Sequence, residues 1–304
     1  MLGLVVNGAT LQTLYRGFKL IFQGAFDSVT SDLPKLWTEV KSTTAGEEYA
    51  WIGMMPNMRE WIGERVIKSL AAAGYYLKNK DFELTLGVPR NNILDDNLGL
   101  FTPLLESLAR AAKLHPAELL AAILKAGETN LAFDGKPFFA TDHPNGAQTP
   151  FSNLFAATAL TADNYGAVRA AMMSYINDAG NPLGIIPDTL IIPPQLEKVA
   201  RSILTADVII GDATAGGSQS NVWKNSANLL LAPELADHPT EWYVACLNRP
   251  LKPFIYQLRQ APEFVSLTAP DDDNVFMRKE YLYGVDYRGN VGYGLPHLIA
   301  KARA

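Results

Sequence analysis

The sequence predicts an α+β fold, a class in which helices and strands follow one another without the regular alternation of βαβ units. Near the N-terminus apolar residues recur at three- and four-residue steps, which is typical of an amphipathic helix. Over residues 75–86 apolar and polar residues alternate, which is typical of a strand. The chain has 304 residues, 48% of them hydrophobic, so it can bury a substantial core and is not a disordered protein.

The first helical pattern lies within residues 1–45. Its apolar stripe consists of Leu11, Leu14, Tyr15, Phe18 and Phe22. Gly17, Gly24 and the break at residues 32–34 predict that this helix is short. Two interpretations stay open, because the stripe suits either a helix packed on its own domain or an arm packed on another subunit.

Residues 46–97 combine a hairpin pattern with the composition of a contact surface. Strand-like alternation runs through Leu77, Phe82, Leu84 and Leu86. The part before it is interrupted by glycine and proline and is rich in large, adaptable side chains, notably Trp51, Met54, Met55 and Trp61. Methionine and broad aromatic side chains favour an interaction surface over a core strand. The alternative is a hairpin that is covered within the chain's own core.

In the rest of the chain the sequence patterns predict short helices and strands. Two tandem helices are expected, the first beginning at Thr102-Pro103 and the second following the interruption at His115-Pro116 and ending at Gly127. Residues 133–139 predict a turn. Later patterns predict helices at 162–179 and 195–204, strands at 189–192, 228–232, 242–247 and 252–257, and a tail at 277–287 followed by a turn at 288–290.

No group of residues has the spacing of a catalytic, cofactor or metal site. No two of the four histidines have the i, i+4 spacing of a helical zinc site, and Cys246 lies in an apolar strand as an inert thiol. Asp142 beside His143 suggests an acid–base pair, but neighbours in an extended segment point to opposite sides, so a turn is favoured. The glycine loop 211–218 lacks the lysine of a phosphate-binding loop, and the acids at 271–273 suit a solvated turn. We expect no enzyme activity.

Charge and hydropathy argue against several other classes. The net charge is −5 at pH 7, and no dense basic patch of the kind found in nucleic-acid readers is present. The first basic residue is Arg16, which argues against a signal peptide. No apolar run approaches the ~18–20 residues of a membrane span. We therefore expect a protein without a membrane partner.

Several motifs resemble the major head subunit family of Mu-like phages and prophages. They occur in the same order as in that family and span nearly the whole chain. They are Trp51-Ile-Gly, Arg59-Glu-Trp-Ile-Gly-Glu-Arg65, His115-Pro-Ala-Glu-Leu119, Phe133-Asp-Gly-Lys-Pro-Phe-Phe-Ala-Thr-Asp-His-Pro144 and Gly292-Tyr-Gly294. The motif at 133–144 is the most specific. The resemblance implies a capsid protein with the Hong Kong 97-type fold, which self-assembles into the icosahedral head shell of a tailed double-stranded DNA phage or prophage.

The resemblance also implies a division of the chain. It is an N-terminal arm at 1–45, an E-loop at 46–97, the spine helix and part of the peripheral domain at 98–150, an axial domain at 151–250 and a return to the peripheral domain at 251–304. On this division the E-loop residues Trp51, Met54, Met55 and Trp61 would lie between subunits. Lys68, Lys78 and Lys80 fit no cross-linking pattern, so we predict no cross-link.

The partners implied by the resemblance are other copies of the chain in hexamers and pentamers, the scaffold and portal proteins of the same phage, and a decoration protein where one is present. Packaged double-stranded DNA would be contacted without sequence preference. No cofactor or metal is expected. The location would be the virion, and the host cytoplasm during assembly. A soluble enzyme and a binding module are the alternatives from other classes.

Overall fold

The computed structural model describes residues 8–49, 74–94, 99, 101–177, 179–210, 218–269 and 271–304. Within these residues it contains six α-helices and thirteen strands, besides short 3-10 turns. The helices are α1 Gly8–Ser28, α2 Arg90–Leu94, α3 Thr102–Lys125, α4 Ala162–Met173, α5 Glu197–Thr205 and α6 Asp273–Arg278. The strands are β1 Trp37–Lys41, β2 Gly46–Glu48, β3 Tyr76–Lys78, β4 Lys80–Pro89, β5 Leu154–Phe155, β6 Thr189–Ile192, β7 Val208–Ile210, β8 Ser218–Ser220, β9 Asn228–Leu231, β10 Glu241–Ala245, β11 Phe254–Leu267, β12 Glu280–Tyr293 and β13 Ile299–Arg303.

Two sheets organise these strands. The first has four strands in the order β1-β11-β12-β4, and only its β1–β11 pair is parallel. The second has five strands in the order β5-β13-β10-β6-β9, with parallel pairs at its two ends. The short pairs β2–β3 and β7–β8 stand apart from both sheets. Helices and strands are interleaved without βαβ repeats, which confirms the α+β class.

The apolar stripe of α1 packs on α3 and the four-stranded sheet of the same chain. Phe18 lies edge-on to Tyr283 with ring centroids 5.0 Å apart, and Phe22 lies 5.2 Å from Phe264. This confirms packing on the chain's own domain for the stripe. The predicted shortness is wrong, because α1 continues for 21 residues through both of its interior glycines. The buried rings outweigh the cost of about 1 kcal/mol that each glycine adds in a helix interior.

The two helices predicted around Pro116 are one helix, α3, with the proline buried inside it. Before the proline, Leu105 packs in the cluster that contains α1; beyond it, Leu120 and Leu124 pack in a second cluster. An interior proline costs about 3 kcal/mol, since it removes one hydrogen bond and crowds the preceding turn. Burial on both sides of Pro116 outweighs that cost. The helix therefore connects two cores.

The predicted turn at 288–290 is also wrong, because β12 passes straight through it. Gly289 pairs with Leu258 on one side and with Lys80 on the other. A Cβ atom at this position would lie 2.7 Å from the backbone oxygen of Gln257. The glycine therefore permits close approach of two strands and does not reverse the chain.

Smaller elements mostly follow the sequence patterns. β6, β9 and β10 confirm predicted strands, and β11 continues well beyond its predicted end at residue 257. The helix predicted at 162–179 ends early, at Met173. Its N-cap is Thr161, whose hydroxyl accepts the Asn164 N–H at 3.1 Å. Beyond it, the Asn177 side-chain oxygen accepts the N–H groups of Ala179 and Asn181, which closes a turn in place of further helix.

Candidate assembly interface

The predicted contact residues lie outside the described part of the chain, so the structure places none of Trp51, Met54, Met55 and Trp61. The structure does describe residues 46–49 and 75–78, between which this segment lies, and we call them the hairpin base. β2 and β3 pair antiparallel, and just beyond them the Tyr49 N–H donates to the Tyr75 carbonyl at 2.9 Å. The outgoing and returning chains are therefore hydrogen-bonded neighbours, as the hairpin prediction requires.

A buried amide anchors this base to the four-stranded sheet. The Gln257 Oε1 atom accepts from the Tyr49 hydroxyl at 2.7 Å, and Nε2 donates to the Leu77 carbonyl at 3.0 Å and to Asn79 Oδ1 at 2.7 Å. Asn79 in turn donates to Ser42 Oγ at 2.8 Å. Gln257 is fully buried and its polar atoms are paired, so breaking any of these bonds would leave a buried group unsatisfied. The base is thus held firmly.

The protonation of Tyr49 agrees with its role as a donor. Burial, followed by the charge of Glu47, raises the pKa of the Tyr49 phenol well above its usual range. The phenol is therefore protonated near neutral pH, as a donor to Gln257 must be.

Beside this base, β4 is an edge strand and forms a groove with α3. The groove has a volume of about 210 Å³, and Leu84 and Phe82 of β4 line it opposite Ala111 of α3. Phe82 stacks on Tyr287 with centroids 5.1 Å apart and meets His115 edge-on at 4.6 Å. The His115 ring also hydrogen-bonds to the Tyr287 hydroxyl. The floor is therefore an aromatic surface held by ring contacts, and the described residues leave it open on one side.

The motif at residues 133–144 is a structural connection. Phe138 and Phe139 are fully buried, and Phe138 stacks on Tyr293 with centroids 4.5 Å apart. This contact joins the motif to the Gly292-Tyr-Gly294 tail. Two of the motifs that resemble the family, far apart in the sequence, are therefore packed on each other.

The structure gives His143 a different carboxylate partner from its sequence neighbour. Asp142 pairs with the exposed Lys136, as expected if it does not face His143. The His143 Nδ1 atom lies 2.6 Å from Asp134 Oδ2, and Nε2 lies 3.1 Å from Asn153 Oδ1. Since both ring nitrogens already face acceptors, neither is free to take a proton from a nucleophile. The arrangement stabilises the fold and supports no catalysis.

A buried lysine in β13 is a feature that the sequence analysis missed. Lys301 is 1% exposed, and its Nζ atom lies 2.7 Å from Glu241 Oε1 and 2.9 Å from Glu128 Oε1. Burial alone would raise the pKa of the Glu241 carboxyl, but hydrogen bonds from Lys301, His238 and Tyr243 outweigh it and lower that pKa. The available signal was a lysine between two alanines in the C-terminal strand.

The remaining candidates for chemistry are inert or lie elsewhere. Cys246 is buried next to β10, and burial, followed by the charge of Asp188, raises the pKa of its thiol, as expected for a core cysteine. Residues 211–217 of the glycine loop lie outside the described chain. In the part that the structure covers, no cluster of three His, Cys, Asp or Glu side chains is placed to hold a metal ion. Nor does any helix there have the length and hydropathy to cross a bilayer.

Comparison with known proteins identifies the family. A family model described as Mu-like prophage major head subunit gpT matches residues 11–159, 154–235 and 234–304. The Mu-like prophage FluMu major head subunit of Haemophilus influenzae is 31% identical over 284 residues, which cover 93% of this chain and 70% of that protein. The major capsid protein of Escherichia phage Mu is 27% identical over 291 residues, or 96% of this chain and 72% of that protein.

Solved capsid structures agree with these matches. A chain of the procapsid of bacteriophage JBD30 superposes with a TM-score of 0.63 and 34% identity, covering 98% of this chain and 76% of that one. A chain from the capsid of the same phage decorated with minor capsid protein trimers gives a TM-score of 0.55 and 29% identity, over 76% of this chain and 99% of that one. The fold is thus the Hong Kong 97-type capsid fold, and the relatives are structural proteins and not enzymes. The chain belongs to the family of Mu-like prophage major head subunits.

Proposed function

We propose that this major capsid protein builds its head shell by laying the segment between Tyr49 and Tyr75 of each copy on a neighbouring copy. The observation that carries the proposal is the hairpin base, where both ends of the segment are hydrogen-bonded together and anchored through Gln257. Drawn out and back at ~3.3 Å per residue, a segment of this length reaches about 40 Å. That is far enough to reach an adjacent subunit.

The composition of the segment supports a covering neighbour. A two-stranded hairpin is marginal in water by itself, so an exposed one needs a partner surface. Large apolar side chains gathered in one exposed segment favour burial by another chain. In this proposal the residues buried between subunits are Trp51, Met54, Met55 and Trp61.

The experiment is to replace Trp61 by alanine. Truncating a large anchor at an interface commonly costs ~2–4 kcal/mol, and a shell repeats the contact in every subunit. We expect Trp61→Ala to keep the circular dichroism spectrum of the wild-type subunit while electron microscopy shows no shells, or shells that dissociate on mild heating.

Trp242→Ala is the matched control, since Trp242 is fully buried in the subunit's own core and its truncation should unfold the subunit. If Trp61→Ala unfolds the subunit in the same way, Trp61 belongs to the core and the proposed interface is wrong.

The proposal changes the domain division, because each of the two sheets takes strands from more than one of its parts. α3 joins two cores and suits the spine. The four-stranded sheet with α1 suits the peripheral domain, although α1 and β1 fall within 1–45 and β4 within 46–97 of the sequence division. The five-stranded sheet suits the axial domain, but its strand β13 comes from the end of the chain. We therefore assign residues 299–303 to the axial unit, although the sequence division placed them in the peripheral return.

We also propose the remaining partners by analogy with the relatives. Scaffold and portal proteins would act during assembly in the host cytoplasm, and the decorated JBD30 capsid supports a decoration protein on the outer surface. Packaged DNA would touch the inner surface weakly and without sequence preference, because the net charge is −5. A salt titration tests this: binding to any duplex should be weak and fall steeply with salt, and tight binding to one sequence at physiological salt would contradict it.

A further inference from the structure

The short helix α6 carries the most exposed pair of neighbouring large apolar side chains among the described residues. Phe276 is 78% exposed and Met277 is 74% exposed. The helix itself is held firmly, since Asn274 donates to the Leu267 carbonyl at 3.2 Å and to the Glu280 carbonyl at 2.7 Å. A fixed helix that presents two large apolar groups to solvent is suited to insertion into a partner. We call Phe276 and Met277 the α6 knob.

Charges surround the knob asymmetrically. Arg278 and Lys279 follow it directly and are exposed. The aspartates of this turn lie at the other end of α6, where Asp272 accepts the Ala269 N–H at 2.6 Å. The surface next to the knob at the C-terminal end of α6 is therefore positively charged.

The groove between β4 and α3 has complementary properties. Its lining is apolar and aromatic, with Leu84 left 44% exposed, and Ala111 leaves space on the α3 side. The exposed Glu118 stands at its border, whereas the Glu83 carboxylate accepts the Thr85 hydroxyl at 2.7 Å on the other face of β4. An occupant should therefore offer one or two large apolar side chains with a neighbouring positive charge, and the α6 knob has this composition.

The knob cannot enter the groove of its own chain. Both lie along β4 and β12, with the knob beside the Glu280–Pro89 pair and the groove beside the Val285–Leu84 and Tyr287–Phe82 pairs. Five to seven residues at ~3.4 Å each separate them by about 20 Å along the sheet. Since the two surfaces differ and cannot meet within one chain, a contact between them on two copies would be head-to-tail. Such contacts close into rings when the rotation allows.

We propose that the α6 knob of one subunit inserts into the β4–α3 groove of an adjacent subunit, and that this contact links copies head-to-tail around a ring of the shell. The inference rests on the proposed shell assembly and adds a second contact to the one made by residues 50–73. Because both surfaces are complete in the folded subunit, this contact can form without any rearrangement of the chain.

A pair of cysteines tests the contact in assembled particles. We expect Met277→Cys combined with Ala111→Cys to give a ladder of covalent oligomers after mild oxidation with copper phenanthroline. An internal disulfide is excluded, since it needs Cα atoms within about 7 Å and the two sites are about 20 Å apart. The native Cys246 is buried and does not compete.

Controls separate this proposal from shell assembly itself. Particles must first form with Ala111→Cys alone. The absence of covalent oligomers in the double variant then cannot result from failed assembly. Val222→Cys, at a residue 77% exposed elsewhere on the chain, combined with Ala111→Cys should give no ladder.

A second variant, Ala111→Trp, fills the groove at an exposed position and should abolish or sharply reduce particle yield while the subunit stays folded. Intact particles without a Met277–Ala111 cross-link, or normal shells from Ala111→Trp, would overturn the proposal. If Ala111→Cys is shielded from maleimide in particles but does not cross-link to position 277, another segment fills the groove and the α6 knob is not its occupant.

Discussion

Lys301 shows how a single buried charge holds the five-stranded sheet to the end of α3. Its ammonium group pairs with both Glu241 and Glu128. Removing one member of such a group leaves its partners buried and unpaired, which costs ~3–5 kcal/mol. We expect Lys301→Met to lower the free energy of unfolding by about 3 kcal/mol in urea titrations of the unassembled subunit.

Lys35→Met provides the matched change at the surface, where the pair with Asp32 is exposed and should contribute less than ~1 kcal/mol. Equal losses in the two variants would show that the Lys301 pair is not a buried contact.

His297 makes stability depend on pH. Its ring stacks on Phe151 with centroids 4.0 Å apart. Burial, with a further contribution from the charge of His143 and opposed by Asp134, lowers the pKa of His297 to about 4. The unfolded chain takes up this proton near pH 6.5, so the stability that neutral His297 provides is complete above that pH. It is lost as the pH falls towards 4, by at most about 3 kcal/mol.

His297→Phe keeps the aromatic stack and removes the titration. Urea midpoints measured between about pH 7 and pH 4 should therefore fall less steeply for this variant than for the wild type. The same slope in both proteins would assign the acid sensitivity to other groups.

At the scale of elements, α3 decides how the parts of the subunit are joined. Leu105 is fully buried, whereas its neighbour Leu104 is 47% exposed. Leu105→Ala should lower the free energy of unfolding by ~2–5 kcal/mol, because it leaves a cavity among α1, α3 and the sheet. Leu104→Ala makes the same chemical change and should cost less than ~1 kcal/mol. Comparable losses of stability would mean that α3 does not bury Leu105 while leaving Leu104 exposed.

Elements with strong local patterns could be predicted from the sequence, and those decided by distant partners could not. The stripe of α1 and the strand β6 follow directly from their periodicity. Local rules end a helix at Pro116 and a strand at Gly289, but tertiary packing continues both elements. In each case the deciding contact, a second core or a pair of flanking strands, is far away in the sequence.

The same limit applies to the candidate interface. Motifs in the sequence pointed to residues 133–144, and the structure shows them at the centre of the fold. Nothing local pairs His143 with Asp134, because the turn that brings them together must form first. The β4–α3 groove also escaped prediction, since it exists only once Phe82 and Ala111 meet across two elements.

At the scale of the whole molecule, the two proposed contacts use different surfaces: the segment of residues 50–73 in one, and the α6 knob with the β4–α3 groove in the other. The segment of residues 50–73 leaves from the hairpin base, and the α6 knob lies at the far end of the same sheet. Changes at the two contacts should therefore weaken assembly independently. Trp61→Ala and Ala111→Trp together should reduce particle yield more than either alone, measured by sucrose-gradient sedimentation. If the double variant is no worse than one single variant, the two sites form one contact.

The most direct test of the account is a cryo-electron microscopy reconstruction of the particles that this chain forms when it is expressed. We predict closed shells in which residues 50–73 of each subunit lie on an adjacent subunit, with Trp51 and Trp61 buried between the two copies. A protein that stays monomeric at micromolar concentrations, or shells in which this segment folds back on its own subunit, would contradict the account.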